Sequence, residues 1–348
     1  MISLSAFLVS LSVTYFSIPW LRIAAFKFKI LDYPGARKIH REATPLLGGL
    51  GIYLGLIIGL AFNLAYIKPF FPILIGATII LFIGLFEDIK PGTNALLRLS
   101  LQFVAALVLI ANGMQVSFLP NNLWGNIGEI VITLFWILGV TNAYNYLDGM
   151  DGLAAGSSAI NLFFFGIILY NTGQFPLGLL AIALMAGCLA FLPYNLRKNK
   201  VFLGEAGSTL LGFLLASIGL MGNWAQDNVV RLFIPVLILG EPIFDMIFTT
   251  IMRVKEEKIR TVIEWLQYAG KDHFHHYLVD IGLRPWGAVL FIYLIIISLG
   301  ISALMVSNDV AIEALLTLSQ ASIIFSVIAA LIVVGKRRRS GWITEKKA

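Results

Sequence analysis

The sequence predicts an all-α, polytopic membrane protein of about eleven transmembrane helices. Three observations lead there. First, 59% of the 348 residues are hydrophobic and 13% are charged, with a mean hydropathy of +0.88; an ordinary soluble domain carries roughly 25% charge. Second, the apolar residues form uncharged runs, and a bilayer core takes roughly 20 such residues per helix. Third, the basic residues collect in alternate connections between those runs.

Run 2–21 follows Met1-Ile2-Ser3, which lacks the basic region of a cleavable signal, so it reads as a retained span. Runs 47–67, 69–86, 99–113 and 130–147 come next. Run 153–196 is interrupted by Asn171-Thr172-Gly173-Gln174-Phe175-Pro176, turn chemistry that divides it into two helices. Runs 206–226, 230–252, 285–306 and 314–335 complete the set, and Glu241 and Asp245 lie inside 230–252.

Connections 22–46, 87–98, 145–153, 194–205, 253–284 and the tail from Lys336 hold 23 of the 25 Lys and Arg. Only Lys68 and Arg231 fall on the other side. The positive-inside rule places the basic set in the cytoplasm, with the N-terminus outside and the C-terminus inside. The basic tail, 336–348, reads as a stop signal at an anionic leaflet. Fifteen of the nineteen Asp and Glu lie on the same side or in run 230–252. A transporter more often gathers ionisable groups at the midplane. Here one membrane domain, 1–348, is expected to carry an active site on its cytoplasmic face. The net charge of +6 follows from the loops and does not argue for nucleic acid. One cysteine, Cys188, excludes a disulfide framework.

The stretch Asn142-Ala-Tyr-Asn145-Tyr-Leu-Asp148-Gly-Met-Asp151-Gly-Leu closes an apolar run. On a continuous helix Asn142, Asn145, Asp148 and Asp151 would share one face, making a polar site at a membrane surface. The alternative is a helix C-terminus with ordinary turn residues. Glu87-Asp88 ends another apolar run, where acids oppose the helix dipole. The pair could bind Mg²⁺, which takes oxygen ligands and bridges phosphates, or take a proton. Arg98 is a candidate phosphate clamp. In the first loop Arg37, Lys38 and His40 could hold a phosphate or simply form a basic juxtamembrane segment. Glu205 could cap a helix N-terminus or bind metal, and Phe202 could stack on a base or pack at the interface. Three of the four histidines, His273, His275 and His276, follow Asp272. With no thiol near them a phosphate-rich ligand suits them better than zinc. Pro242, Asp245 and Arg253 give run 230–252 a broken, polar end.

Together these motifs resemble the polyprenyl-phosphate N-acetylhexosamine-1-phosphate transferases, glycosyltransferase family 4. They are Asp32-x-Pro34-x-x-Arg37-Lys38-x-His40, Glu87-Asp88, Asn142-x-x-Asn145-x-x-Asp148-Gly-x-Asp151-Gly, Phe202-x-Gly204-Glu205-x-Gly207-Ser208 and His273-x-His275-His276. The resemblance covers 32–282. It implies transfer of a sugar-1-phosphate from a UDP-sugar to a membrane polyprenyl (undecaprenyl) phosphate, with Mg²⁺ (or Mn²⁺) and release of UMP. The His-Phe-His-His pattern is like the branch that uses UDP-N-acetylglucosamine; the branch that makes the first peptidoglycan lipid has three consecutive histidines. The implied setting is the inner (plasma) membrane, at the first membrane step of cell-envelope glycan synthesis, with a homodimer allowed. The alternatives are the peptidoglycan lipid branch, a lipid or sugar transporter of similar topology, and a phosphotransferase acting on a nucleotide-activated alcohol.

By position the resemblance makes Glu87, Asp88 and Asp148 the catalytic carboxylates. Glu205 and Asn145 become the metal ligands, Asp151 the uracil acceptor, Phe202 the stacking aromatic and Arg98 a pyrophosphate contact. Lys38, His40, Asn142, Arg253 and the three clustered histidines are expected to bind substrate. Glu87 and Glu205 depart from the pattern, since the family usually has Asp at both positions.

Overall fold

The computed structural model describes residues 2–34, 42–63, 66, 68–261, 264–265, 268, 270, 272–307 and 311–345, with 228–229 and 336–345 by backbone alone. Of the described residues 79% are helical, as the uncharged runs require. Among the described residues eight helices are long and apolar enough to cross a membrane. A ninth is a bent pair, Val230–Ile238 with Gly240–Lys255, turned by 75° at its break. Two further apolar helices, Gly48–Ala61 and Ala95–Ala111, are shorter. Run 47–67 is long enough to cross whole, but its helix has 14 residues, about 21 Å at 1.5 Å per residue. It ends at a turn at Phe62 and Asn63.

Contacts divide the chain into two units, Met1–Trp224 and Ala225–Ala348. The first contains α1 (Ile2–Phe28), α2 (Gly48–Ala61), α3 (Phe71–Ile89), α4 (Ala95–Ala111), α5 (Leu123–Leu147), α6 (Leu153–Asn171), α7 (Phe175–Leu196) and α8 (Gly204–Met221). Two short strands, β1 (Leu31–Asp32) and β2 (Thr44–Pro45), pair antiparallel between α1 and α2, with Leu31 opposite Pro45. Asn94 starts α4 by accepting the Leu96 N–H at 2.9 Å, the side-chain cap its sequence position suits.

Helix α8 is the hub of this unit. It packs against α2, α3, α5 and α6, and 83% of its apolar window is buried. Small residues make this possible. A Cβ on Gly84 of α3 would lie 2.2 Å from the Ala206 Cα, and one on Gly49 of α2 would lie 2.1 Å from the Gly207 Cα. On the α5 side, a Cβ on Gly212 would lie 2.8 Å from the Thr141 Cα. Backbones this close are the usual basis of helix association in lipid, where no hydrophobic force separates helix from solvent.

The second unit contains α9 (Asn228–Ile238), α10 (Gly240–Lys255), α11 (Phe274–Asp280), α12 (Pro285–Val306) and α13 (Ala311–Glu345). The α9–α10 break has a local cause. Pro242 has no N–H to donate to a preceding carbonyl, so it suits the first turn of a new helix. Phe244 then stacks on Phe325 of α13, with ring centroids 4.3 Å apart, and meets Phe274 edge-on at 5.3 Å.

Candidate active site

The polar stretch after α5 does not continue as a helix. α5 ends at Leu147, Asp148 is its C-cap, and residues 148–152 form turns before α6. Gly152 adopts φ +80°, a left-handed conformation that glycine takes without strain. The expected single face of four polar groups is therefore corrected. Asn142 and Asn145 lie on α5, Asp148 at its end, and Asp151 in the turn. Their partners differ accordingly. The Asn142 amide donates to Gln102 Oε1 at 2.8 Å, and Asn145 Oδ1 accepts from the Ser208 hydroxyl at 2.9 Å. Burial, and then the negative charge of Glu205, Asp88 and Asp151, push the Asp148 carboxyl well above the usual carboxylate range.

The acidic pair at the end of α3 diverges. Glu87 is half-buried and accepts the Gly92 N–H at 3.0 Å. Asp88 is 5% exposed. Its two oxygens accept the N–H groups of Glu205, at 2.8 Å, and Ala206, at 3.1 Å. No side chain of the α8 N-cap itself does this, so Asp88 closes the positive end of α8 from a neighbouring helix. Gly204 permits the approach: its φ is +78°, and a Cβ there would stand 2.5 Å from Asp88 Oδ2.

Glu205 faces α4. Its Oε1 is 3.4 Å from Arg98 Nη1, and its Oε2 is buried with no hydrogen-bond partner. Both side chains line a narrow crevice with Ile83, Gly84, Gln102 and Thr209. Asp88, Asp148, Glu205 and Arg98 are thus neighbours around the start of α8. Hard oxygen donors, excess negative charge and an unsatisfied carboxylate oxygen suit Mg²⁺. Among the described residues no three His, Cys, Asp or Glu side chains form a ready-made cage. Mg²⁺ seldom uses one; it keeps several waters and takes one or two carboxylates plus substrate phosphates.

Beside this cluster lie Asp151 and Phe202, joined by Lys200. The Lys200 ammonium is 2.7 and 2.9 Å from the two Asp151 oxygens and 5.1 Å from the centre of the Phe202 ring. Phe202 is held through its backbone: its N–H donates to Pro45 O at 2.8 Å, and its carbonyl accepts the Gly48 N–H at 3.0 Å. The Gly48-Gly49 pair is explained by this contact, since a Cβ on Gly48 would lie 2.6 Å from the Phe202 oxygen. Lys38 and His40, like Arg37, lie outside the described residues.

Arg253, His273, His275 and His276 belong to the second unit and form a network within it. The buried Arg253 donates twice to Asp272, at 2.7 and 3.1 Å, and packs 4.7 Å from the Tyr268 ring centre. Its Nη2 also lies 3.2 Å from His273 Nε2, and His273 Nδ1 lies 3.0 Å from Asp245 Oδ2. A guanidinium has no acceptor, so Nε2 accepts and Nδ1 carries the proton given to Asp245. Burial raises the Asp272 carboxyl, but hydrogen bonds and charge from Arg253 outweigh it and hold Asp272 below the usual range. His275 is 1% exposed with neither ring nitrogen hydrogen-bonded. Burial, then the His276 ring 4.2 Å away, lowers it to about 3.

Gln102, Asn195 and Lys200 are site neighbours absent from the sequence motifs, and Ser208, present there only as the end of a motif, supports Asn145. Lys200 was visible only as one of the topology-setting cations.

Residues 70–223 match the sequence profile of Glycosyl transferase family 4. The chain is 32% identical over 309 residues to a Bacillus subtilis protein named "Probable undecaprenyl-phosphate N-acetylglucosaminyl 1-phosphate transferase", covering 87% of this chain and 84% of the relative. It is 30% identical over 317 residues to the decaprenyl-phosphate N-acetylglucosaminephosphotransferase of Mycolicibacterium smegmatis, covering 81% and 76%. A third relative, the undecaprenyl-phosphate alpha-N-acetylglucosaminyl 1-phosphate transferase of Yersinia pestis, is 29% identical over 293 residues, covering 80% and 78%. With the α8 site now in view, that degree of identity over most of both chains shows that the protein belongs to glycosyl transferase family 4, the polyprenyl-phosphate N-acetylhexosamine-1-phosphate transferases.

Proposed function

We propose that the protein transfers N-acetylglucosamine-1-phosphate from UDP-N-acetylglucosamine to a polyprenyl phosphate in the inner (plasma) membrane and releases UMP. The observation that carries the reading is the gathering of Asp88, Asp148, Glu205 and Arg98 at the N-terminus of α8, beside Asp151 and Phe202. The relatives bearing that activity in their names support it.

An oxygen of the lipid phosphate attacks the β-phosphorus of the donor. The bond from that phosphorus to the bridging oxygen breaks, and UMP leaves with the oxygen. Donor and acceptor are both anionic, so charge neutralisation is the main task. Arg98 supplies fixed positive charge to the diphosphate, as Lys38 does from the first loop. Glu205 and Asn145 would hold Mg²⁺ (or Mn²⁺), with Asp148 beside them, and the bound ion supplies Lewis acidity. Glu87 orients or deprotonates the lipid phosphate. Asp88 fixes the turn from which Glu205 projects. Asp151 accepts the uracil N–H and Phe202 stacks on the ring. On this reading the chain crosses the membrane about eleven times, with the N-terminus outside and the site in the cytoplasm.

The test uses purified protein with UDP-N-acetylglucosamine, undecaprenyl phosphate and Mg²⁺. The expected result is UMP released in step with new glycolipid. If no UDP-hexosamine yields UMP, the reading falls. Cysteines placed at positions 68 and 231 should label from outside intact cells, and labelling only after permeabilisation would reverse the orientation.

A further inference from the structure

We propose that Lys200 is a positioning residue of the donor site, holding Asp151 and Phe202 in register for a uracil base. This rests on the assignment of those two residues to the nucleobase.

Asp151 is an exposed side chain in a turn between two glycines. Left alone, its carboxylate would sample several rotamers. Lys200 removes that freedom by meeting both of its oxygens, at 2.7 and 2.9 Å. The same ammonium lies 5.1 Å from the Phe202 ring centre, so one cation touches both proposed base contacts.

The pairing is built into the backbone. The buried Asn195, at the end of α7, accepts the Gly152 N–H at 2.5 Å and donates to the Val201 carbonyl at 3.0 Å. Gly152 directly follows Asp151, and Val201 directly follows Lys200. The Val201 N–H donates to Tyr194 O at 3.0 Å, and Val201 is fully buried. One amide therefore ties together the two chain segments that carry the ion pair.

The arrangement selects a base. A carboxylate fixed at the ring edge accepts the N3–H of uracil. Cytosine presents a lone pair at N3, which a fixed carboxylate repels. Removing Lys200 lets the carboxylate swing away, so uracil loses its acceptor and cytosine its repulsion.

The experiment measures UMP and CMP binding by calorimetry on the purified full chain in detergent, with donor kinetics alongside. Lys200→Met should weaken UMP and raise donor KM by about tenfold, the lower end for a charged hydrogen bond. It should leave kcat and the polyprenyl phosphate KM within about twofold, the pattern of lost uniform binding. The preference for UMP over CMP should shrink, and Lys200→Arg should restore most of it. Lys200→Gln, nearly isosteric and neutral, should behave as Lys200→Met does. Asp151→Ala tests the reading beneath: if it leaves UMP binding unchanged, the nucleobase assignment itself falls. If Asp151→Ala weakens UMP but Lys200→Met, Lys200→Gln and Lys200→Arg all bind UMP as the unmodified protein does, the role of Lys200 alone is overturned.

Discussion

Replacing Asp88 by alanine should destabilise the protein, not merely slow it. The two N–H groups that Asp88 satisfies open the first turn of α8, the most buried span. Removing the carboxylate leaves both without their acceptor at a helix end where the dipole is positive. Loss of a capping side chain costs roughly 0.5–2 kcal/mol, and a buried N–H left without its acceptor roughly 1–3 kcal/mol. These describe overlapping parts of one interaction, so the expected loss is about 2–4 kcal/mol. At about 2 °C per kcal/mol for a long chain, Tm should fall by about 4–8 °C. Glu87→Ala is the control: it removes one contact to Gly92 in an exposed turn, and its shift should stay under about 2 °C. Asp88→Asn should fall between the two, since its carbonyl serves one N–H while its NH₂ faces the other. Thermal denaturation in detergent, followed by intrinsic tryptophan fluorescence, gives all three values. Equal shifts for Asp88→Ala and Glu87→Ala would refute the cap.

Three other outcomes are expected. Glu205→Gln keeps the side-chain length but loses the charge, so turnover should need more Mg²⁺; wild-type turnover at low Mg²⁺ would make Glu205 a purely structural residue of the first turn of α8. Gly84→Ala places a Cβ 2.2 Å from the Ala206 backbone, so α3 and α8 must separate, and overpacking of this kind costs roughly 1–3 kcal/mol or more; an unchanged Tm would refute the close crossing. The third concerns pH. His275 is held neutral when folded, at about 3 against an ordinary 6.5, so between those values only the unfolded chain takes up the proton and stability falls with falling pH. The slope for one group is at most about 1.4 kcal/mol per pH unit, and the lowered Asp272 adds its own loss only below about pH 4. His275→Gln should flatten the acid limb from pH 6.5 down, as read from Tm against pH.

The helices were legible because lipid leaves a chain few choices: each uncharged run contains a helix among the described residues, and Asn171–Pro176 divided α6 from α7 as its turn chemistry required. Their ends were less so. Run 99–113 starts earlier, at Ala95, because the Asn94 cap outweighs the charge of Arg98. Run 230–252 carried Pro242 openly, yet a proline signals a break without stating its angle. At the site, residue types were readable while their commitments were not. Glu87 and Asp88 are adjacent and look like one pair, but successive helical residues point about 100° apart, and of the two it is Asp88 that accepts the N–H groups of α8. The link from Lys200 to Asp151 spans 49 positions, and no local pattern announces a contact between two loops.

The glycine contacts of α8 bear on how the length of the Glu205 side chain is accommodated. Gly49 and Gly84 bring α2 and α3 into backbone contact with Gly207 and Ala206, the residues just after Glu205. α8 therefore cannot slide along its axis to make room for a longer acid without driving backbone into backbone. The extra methylene has to be taken up by side-chain torsions alone. Glu205 does so by folding toward Arg98 on the α4 side. Replacing Glu205 by aspartate would thus retract the carboxylate on a stationary scaffold, and any compensating change should arise in the movable groups around it, Arg98 and Asn145, while the helix crossings stay as they are.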